Sequence, residues 1–348
     1  MSDIGLSRRQ LLHALGIAAV ARPAKAFAQS ACTPERAGTP GCETTPAKAP
    51  FAPTGWKTVW LDHFSMHVAD YQKEAAYFAA LMNWKIRSDD GQQALLDIGE
   101  DTGGFLIRGG YTPPATTAPS ARAPRMATFD GFAWGITPWD TKKVEAELKA
   151  RGLAPVADHR GKDFQSFHVK DPNGMDVQIT NGTKHNRRPK PATATIAAPA
   201  PFAATNWRTV FLDHISFECT DYKAAVAFYA ALLGWTPGVD TGSQNQVQIG
   251  DIGDAIIRRS GGGGGRGGQA PGAPVVKTAS FGHIAFGITP WDAATVKAEL
   301  DKRGLNARAD TGNSGDILTA KYQSYHTTSP NGFDLQISNV TKATRGPV

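Results

Sequence analysis

Cysteine is scarce in this chain, with three among 348 residues. Cys32 and Cys42 stand in a Pro/Gly/Thr-rich stretch, where an oxidising compartment would permit one disulfide closing a small loop. Cys219 falls within an apolar strand pattern, has no partner nearby in sequence, and reads as a buried small hydrophobe. Long apolar runs are also lacking. The stretch from Leu11 to Val20 is too short to span a bilayer comfortably, so no stable membrane anchor is expected. Excess charge is small: the net charge is +6, half of it from Arg8, Arg9, Arg22 and Lys25 against Asp3. The remainder is too weak and scattered to argue for nucleic acid and reads as solvated surface. The run Gly261–Gly268 lacks the Lys-Ser/Thr ending of a phosphate loop and reads as a flexible connector.

The first residues look like an export signal. Ser7-Arg8-Arg9-Gln10-Leu11-Leu12 resembles the twin-arginine pattern, the short apolar stretch follows, and Ala26-Phe27-Ala28 fits a small-x-small cleavage site. A signal peptide over residues 1–28 is expected, and with it a periplasmic or secreted protein. Residues 29–48 read as a disordered leader.

The remaining chain states one pattern twice. Trp56-Lys-Thr-Val-Trp-Leu-Asp-His63 returns as Trp207-Arg-Thr-Val-Phe-Leu-Asp-His214. Gly135-Ile-Thr-Pro-Trp-Asp140 returns unchanged as Gly287-Ile-Thr-Pro-Trp-Asp292. Gln165-Ser-Phe-His168 returns as Gln323-Ser-Tyr-His326, and Pro172-Asn-Gly174 as Pro330-Asn-Gly332. A repeat of this length is a duplicated domain, placed at 49–182 and 201–340, with a Pro/Ala/Lys-rich linker at 183–200 and a tail at 341–348. Each copy has the length to bury its own core.

Within a copy the period changes in a regular order. Leu61–Ala69 alternates as a strand, and Tyr71–Met82 suits a helix with Tyr71, Ala75, Phe78, Ala79 and Met82 on one face. Short strands follow at Trp84–Arg87, Ala94–Ile98 and Gly104–Arg108. The order then restarts: a strand at Phe132–Thr137, a helix capped by Asp140 and ended by Arg151-Gly152, and three more short strands, the last at Met175–Thr180. The fold class is α+β, with strand-helix-three-strand modules paired in each copy.

Strand parity separates two faces. In the second copy His214, Ser216 and Glu218 share one face, against Ile215, Phe217 and Cys219. His283 shares a face with Ala285 and Gly287, Ser324 with His326, and Asp334 with Gln336 and Ser338. The apolar faces should meet the helices, and the polar faces should curve around a wet cleft.

Paired modules of this order, with Asp62-His63 or Asp213-His214 entering the first strand, a helix ending in Phe228–Trp235, and Pro-Asn-Gly before the last strand, resemble the vicinal oxygen chelate superfamily. Glyoxalase I, extradiol dioxygenases and bleomycin resistance proteins belong to it. The resemblance implies two tandem domains, each a curved, partly open barrel around a cleft. It also implies metal ligands on the first, fifth and eighth strands. In the second copy these are His214, His283 and Gln336. In the first they are His63, Gly131 and Gln178, and glycine has no ligand atom. The second copy is therefore the expected site of a divalent iron, manganese or zinc ion, with open positions for substrate oxygens. The first copy is expected to be degenerate, its His63, His168 and Gln178 serving a structural network.

Two positions depart from the dioxygenase pattern. Gln336 stands where a carboxylate is usual, and a neutral amide oxygen binds a hard cation less strongly. His326 stands where those enzymes carry a catalytic tyrosine, and its imidazole could move a proton or supply a third nitrogen. The fourth strand, Asp254–Arg259, offers no glyoxalase-type ligand. His67 and Glu218, roughly 13 Å beyond each opening histidine, read as cleft walls, with Glu218 as a secondary candidate base. Trp139 and Trp291 read as packing anchors. The expected partner is a small oxygen-chelating molecule. A metal-free periplasmic protein that binds or sequesters a small molecule is the alternative.

Overall fold

The structure, a computed structural model, describes residues 47–113, 125–186, 194–260, 279–312 and 315–345. The expected signal peptide, Cys32, Cys42 and the glycine run lie outside the described residues, as do residues 187–193 of the expected linker and 346–348 of the tail. Among the described residues no helix is long and apolar enough to cross a membrane.

The first copy runs β1 (Lys57–Val68), α1 (Tyr71–Met82), β2 (Lys85–Asp89), β3 (Gln93–Ile98) and β4 (Gly103–Arg108). It continues through β5 (Ala127–Thr137), α2 (Thr141–Ala150), β6 (Val156–Ala157), β7 (Ser166–Lys170) and β8 (Asp176–Thr180). The second copy repeats this as β9 (Arg208–Cys219), α3 (Tyr222–Leu233), β10 (Thr236–Asp240), β11 (Gln244–Ile249) and β12 (Gly253–Arg259). Then come β13 (Ser280–Thr289), α4 (Ala293–Lys302), β14 (Arg308–Asp310), β15 (Ser324–Thr328) and β16 (Asp334–Ser338). Each helix opens on an aspartate whose side chain accepts a backbone N–H three residues on: Asp70, Asp140, Asp221 and Asp292.

Each copy forms one eight-stranded mixed sheet, ordered β2-β3-β4-β1-β5-β8-β7-β6 and likewise in the second copy. The opening strands of the two modules, β1 and β5, pair antiparallel at the centre, and each pairs in parallel with its module's last strand. The sheets are open rather than closed on themselves.

The apolar strand faces meet more than the helices. They also meet each other: Phe129 stacks on Phe281 at 4.4 Å, Phe132 lies 6.0 Å from Phe281, and Trp84 meets Phe286 edge-on at 5.1 Å. One continuous core therefore runs through both copies. The joint is reciprocal. Trp84 Nε1 donates to Thr209 Oγ1 (2.9 Å) and Trp235 Nε1 donates to Thr58 Oγ1 (3.0 Å), all buried. Two carboxylates also bridge the copies. Tyr229 OH donates to Asp171 Oδ2 (2.9 Å), and Asn331 donates its backbone N–H and Nδ2 to Glu74 Oε2 (3.2 and 2.7 Å).

The polar faces line up across the second sheet. Asp254, His214, Ala285, Gln336 and His326 form one register row over β12, β9, β13, β16 and β15. Ile256, Ser216, His283 and Asp334 form the next. Cys219 is buried on the opposite, apolar face, as expected.

Candidate metal centre

The strand pairing of β9 with β13 brings the two histidines together. His214 Nδ1 donates to Asp213 Oδ1 (3.0 Å), which leaves Nε2 as the ring nitrogen turned toward His283. That Nε2 sits 2.9 Å from His283 Nε2. Burial, then the neighbouring His214, His326 and Arg258, push the pKa of His283 down to about 2, so the ring is neutral. Two nitrogens held at right angles about 2.1 Å from one ion lie about 3 Å apart, so this separation suits a shared divalent cation. Burial acts against the Asp213 carboxylate, but His214, Ser338 and Tyr322 outweigh it and hold its pKa below the usual range.

Gln336, on β16, is oriented by its own amide nitrogen. Nε2 donates to Ser324 Oγ (2.7 Å) and Tyr322 OH (2.9 Å). Both hydroxyls spend their protons elsewhere, Ser324 on the Asp310 carbonyl (2.8 Å) and Tyr322 on Asp213 Oδ2 (3.2 Å). They can only accept from Gln336, which fixes the amide. Its Oε1 is left buried with no hydrogen-bond partner among the described residues. A buried, unsatisfied carbonyl oxygen is destabilising unless something binds it, and a cation or a substrate donor would satisfy it.

His326 has a different environment. Burial would lower its pKa, but Asp310 (Nε2–Oδ2 3.4 Å) and Asp334 (Nδ1–Oδ1 3.1 Å) outweigh burial and raise it to about 9. The ring is thus protonated at neutral pH, able to give a proton but not to take one. His283, His326 and Asp334 each bring a donor atom within 4.8 Å of one another, and so form a second possible grouping for a cation. That grouping requires His326 to lose its proton, whereas His283 is already neutral.

The first copy keeps much of the framework. His63 Nδ1 lies 2.8 Å from Asp62 Oδ1, His168 Nδ1 lies 2.6 Å from Asp176 Oδ2, and Gln178 Nε2 donates to Ser166 Oγ (2.9 Å). Gly131 stands in place of His283, and a Cβ there would collide with the Asp176 carbonyl oxygen. His67 Nε2 sits 2.7 Å from the Gly109 carbonyl oxygen, and Glu218 pairs in register with Arg258 across β9 and β12. Trp139 and Trp291 stack on Phe167 and Tyr325, at 6.3 and 6.4 Å.

Sequence reasoning passed over Asp213, Asp310, Asp334 and Tyr322 as parts of the site. The aspartates repeat as Asp62, Asp158 and Asp176, which marks them only as shared framework. Tyr322 did carry a signal: the first copy has Phe164 there, a difference of the same kind as His283 against Gly131.

No family model and no curated protein matches this chain. Solved structures do share its fold. A Mn(II)-bound glyoxalase from Novosphingobium aromaticivorans superposes with a TM-score of 0.57 at 12% identity, over 84% of this chain and 86% of that one. A catechol 2,3-dioxygenase gives 0.55 at 14% identity, over 81% and 88%. Homoprotocatechuate 2,3-dioxygenase from Arthrobacter globiformis gives 0.56 at 16% identity, over 85% and 83%. The chain shares the two-domain α+β fold of these proteins.

Proposed function

We propose that the second copy is a divalent metal centre acting on a small molecule that binds through two adjacent oxygens. The carrying observation is the pair of imidazole nitrogens 2.9 Å apart on the same polar sheet face as a buried amide oxygen without a partner. His214 and His283 would supply nitrogen ligands and Gln336 Oε1 the oxygen ligand. An iron, manganese or zinc ion there would act as a Lewis acid toward the substrate oxygens. Asp213 orients His214, and His326 gives a proton to the reacting molecule. The first copy buttresses the second without chemistry of its own. The Mn(II)-bound glyoxalase and the 2,3-dioxygenases that share the fold support metal-dependent enzymology of this type. Export through the twin-arginine-like leader, to the periplasm or beyond, belongs to the same proposal.

Elemental analysis of protein purified without chelator tests it. About one iron, manganese or zinc per chain is expected, and His283→Ala should lose that metal together with activity on catechols or related chelating substrates. Full metal content in His283→Ala would overturn the assignment. No metal in either protein would favour a metal-free binding or sequestration protein, a reading to which the neutral Gln336 lends itself.

A further inference from the structure

The first copy shows what the arginine of its fourth strand does when it has a partner. Arg108 donates from Nη1 to Asp130 Oδ2 (3.2 Å) and from Nε to Gln93 Oε1 (3.3 Å). The counterpart in the second copy is Arg258. Among the described residues its buried Nε has no hydrogen-bond partner and no carboxylate lies within ion-pair distance of it. Glu218 and Asp310 act on its charge from farther away.

The missing partner is a matter of sequence. Gly282 stands where the first copy has Asp130. The backbone does not demand a glycine there, because Gly282 is not among the residues with positive φ. A Cβ would meet only Ser216, at 3.5 Å from its carbonyl oxygen and 3.7 Å from Oγ, which is ordinary contact. Ser65, the equivalent of Ser216, tolerates Asp130 beside it, at 3.4 Å. The second copy thus has room for the carboxylate and lacks it. The copy that carries His283 is also the one that leaves its arginine without a side-chain anion.

Arg258 lies on the polar face, one two-residue step along β12 from the row that holds Ser216 and His283. That step is about 7 Å. A partly buried guanidinium with an unmet donor on the same sheet face as the histidine pair is a receptor for a planar anion. We propose that Arg258 binds a carboxylate of the substrate, so that the molecule taken by the second copy carries both two adjacent oxygens and an acidic group. This deepens the metal-centre reading and rests on it for the adjacent oxygens.

The test compares catechol with its carboxylated analogue, 3,4-dihydroxybenzoate, by calorimetric titration of the manganese-loaded full chain. The carboxylated ligand should bind at least about tenfold more tightly. That advantage should vanish in Arg258→Gln and in Gly282→Asp, which restores the internal partner, and persist in Gly282→Asn. Equal affinity of wild-type protein for the two ligands would overturn the carboxylate site and leave the metal centre standing. Benzoate, which cannot chelate, separates the two ideas further. If the chain binds no metal yet benzoate raises its melting temperature only when Arg258 is present, the metal reading falls and the anion site stands. If benzoate gives no Arg258-dependent shift in such a metal-free chain, both fall.

Discussion

Tyr322 differs from Phe164, its equivalent in the first copy, by one hydroxyl, and that hydroxyl touches two parts of the site. It accepts from the Gln336 amide and donates to Asp213, the carboxylate behind His214. Tyr322→Phe should therefore loosen one proposed ligand and the support of another. Partners of this kind typically change metal affinity by about ten- to a hundredfold. Competition against a chromogenic chelator would measure the loss, and unchanged affinity would remove Tyr322 from the centre. At this scale the sequence was informative where the two copies differ or where a strand's parity fixes a side chain. Parity placed His214, His283 and Gln336 on polar faces and the contrast with Gly131 marked His283, but their reading as a ligand set came from the family resemblance. Asp310 was not, because it ends a three-residue strand too short to show alternation.

At the scale of elements, helix α1 matched its sequence pattern from end to end, while β1 to β5 ran longer than their patterns and β8 one residue shorter. β5 begins at Ala127 rather than Phe132, because Asp130 and Gly131 interrupt the apolar alternation at a register shift opposite Ser65 and Met66. The five-residue helical face was also too narrow an estimate: Glu74, Tyr77 and Leu81 are buried as well. Alternation tells which face is apolar, but not that a second copy covers it. The close pairing of β5 with β8 yields a prediction about the first copy. Gly131→His should not create a second metal site, because its Cβ would strike the β8 backbone. Metal content should stay at its wild-type value while denaturation shows a loss of about 1–3 kcal/mol, the usual penalty of overpacking. A gain of one metal ion per chain would show that the first copy lacks only a ligand.

At the scale of the molecule, the joint between copies holds a carboxyl that titrates. Burial raises the pKa of Glu74 above its ordinary 4.5, and hydrogen bonds from Asn331 and Ser329 offset only part of this. A carboxyl with a raised folded pKa contributes stability below its unfolded value, and that contribution is lost as pH rises through the folded pKa. Glu74→Gln should flatten that part of the pH profile and raise the melting temperature at pH 8 by on the order of a few degrees, with metal content unchanged. Equal melting of the two proteins at pH 8 would place the burden of the joint elsewhere.

The crossed Trp–Thr hydrogen bonds have a consequence for how such a protein can change over time. Each copy completes the core of the other, so neither can be dispensed with as a folding partner. Two separate chains would have to meet at adequate concentration to do this, whereas one chain carries its partner with it at any dilution. Selection for a folded body then acts on both copies, while selection for chemistry needs only one. A duplicated protein built this way can let a glycine replace a histidine in one copy and still keep that copy as the fold's second half.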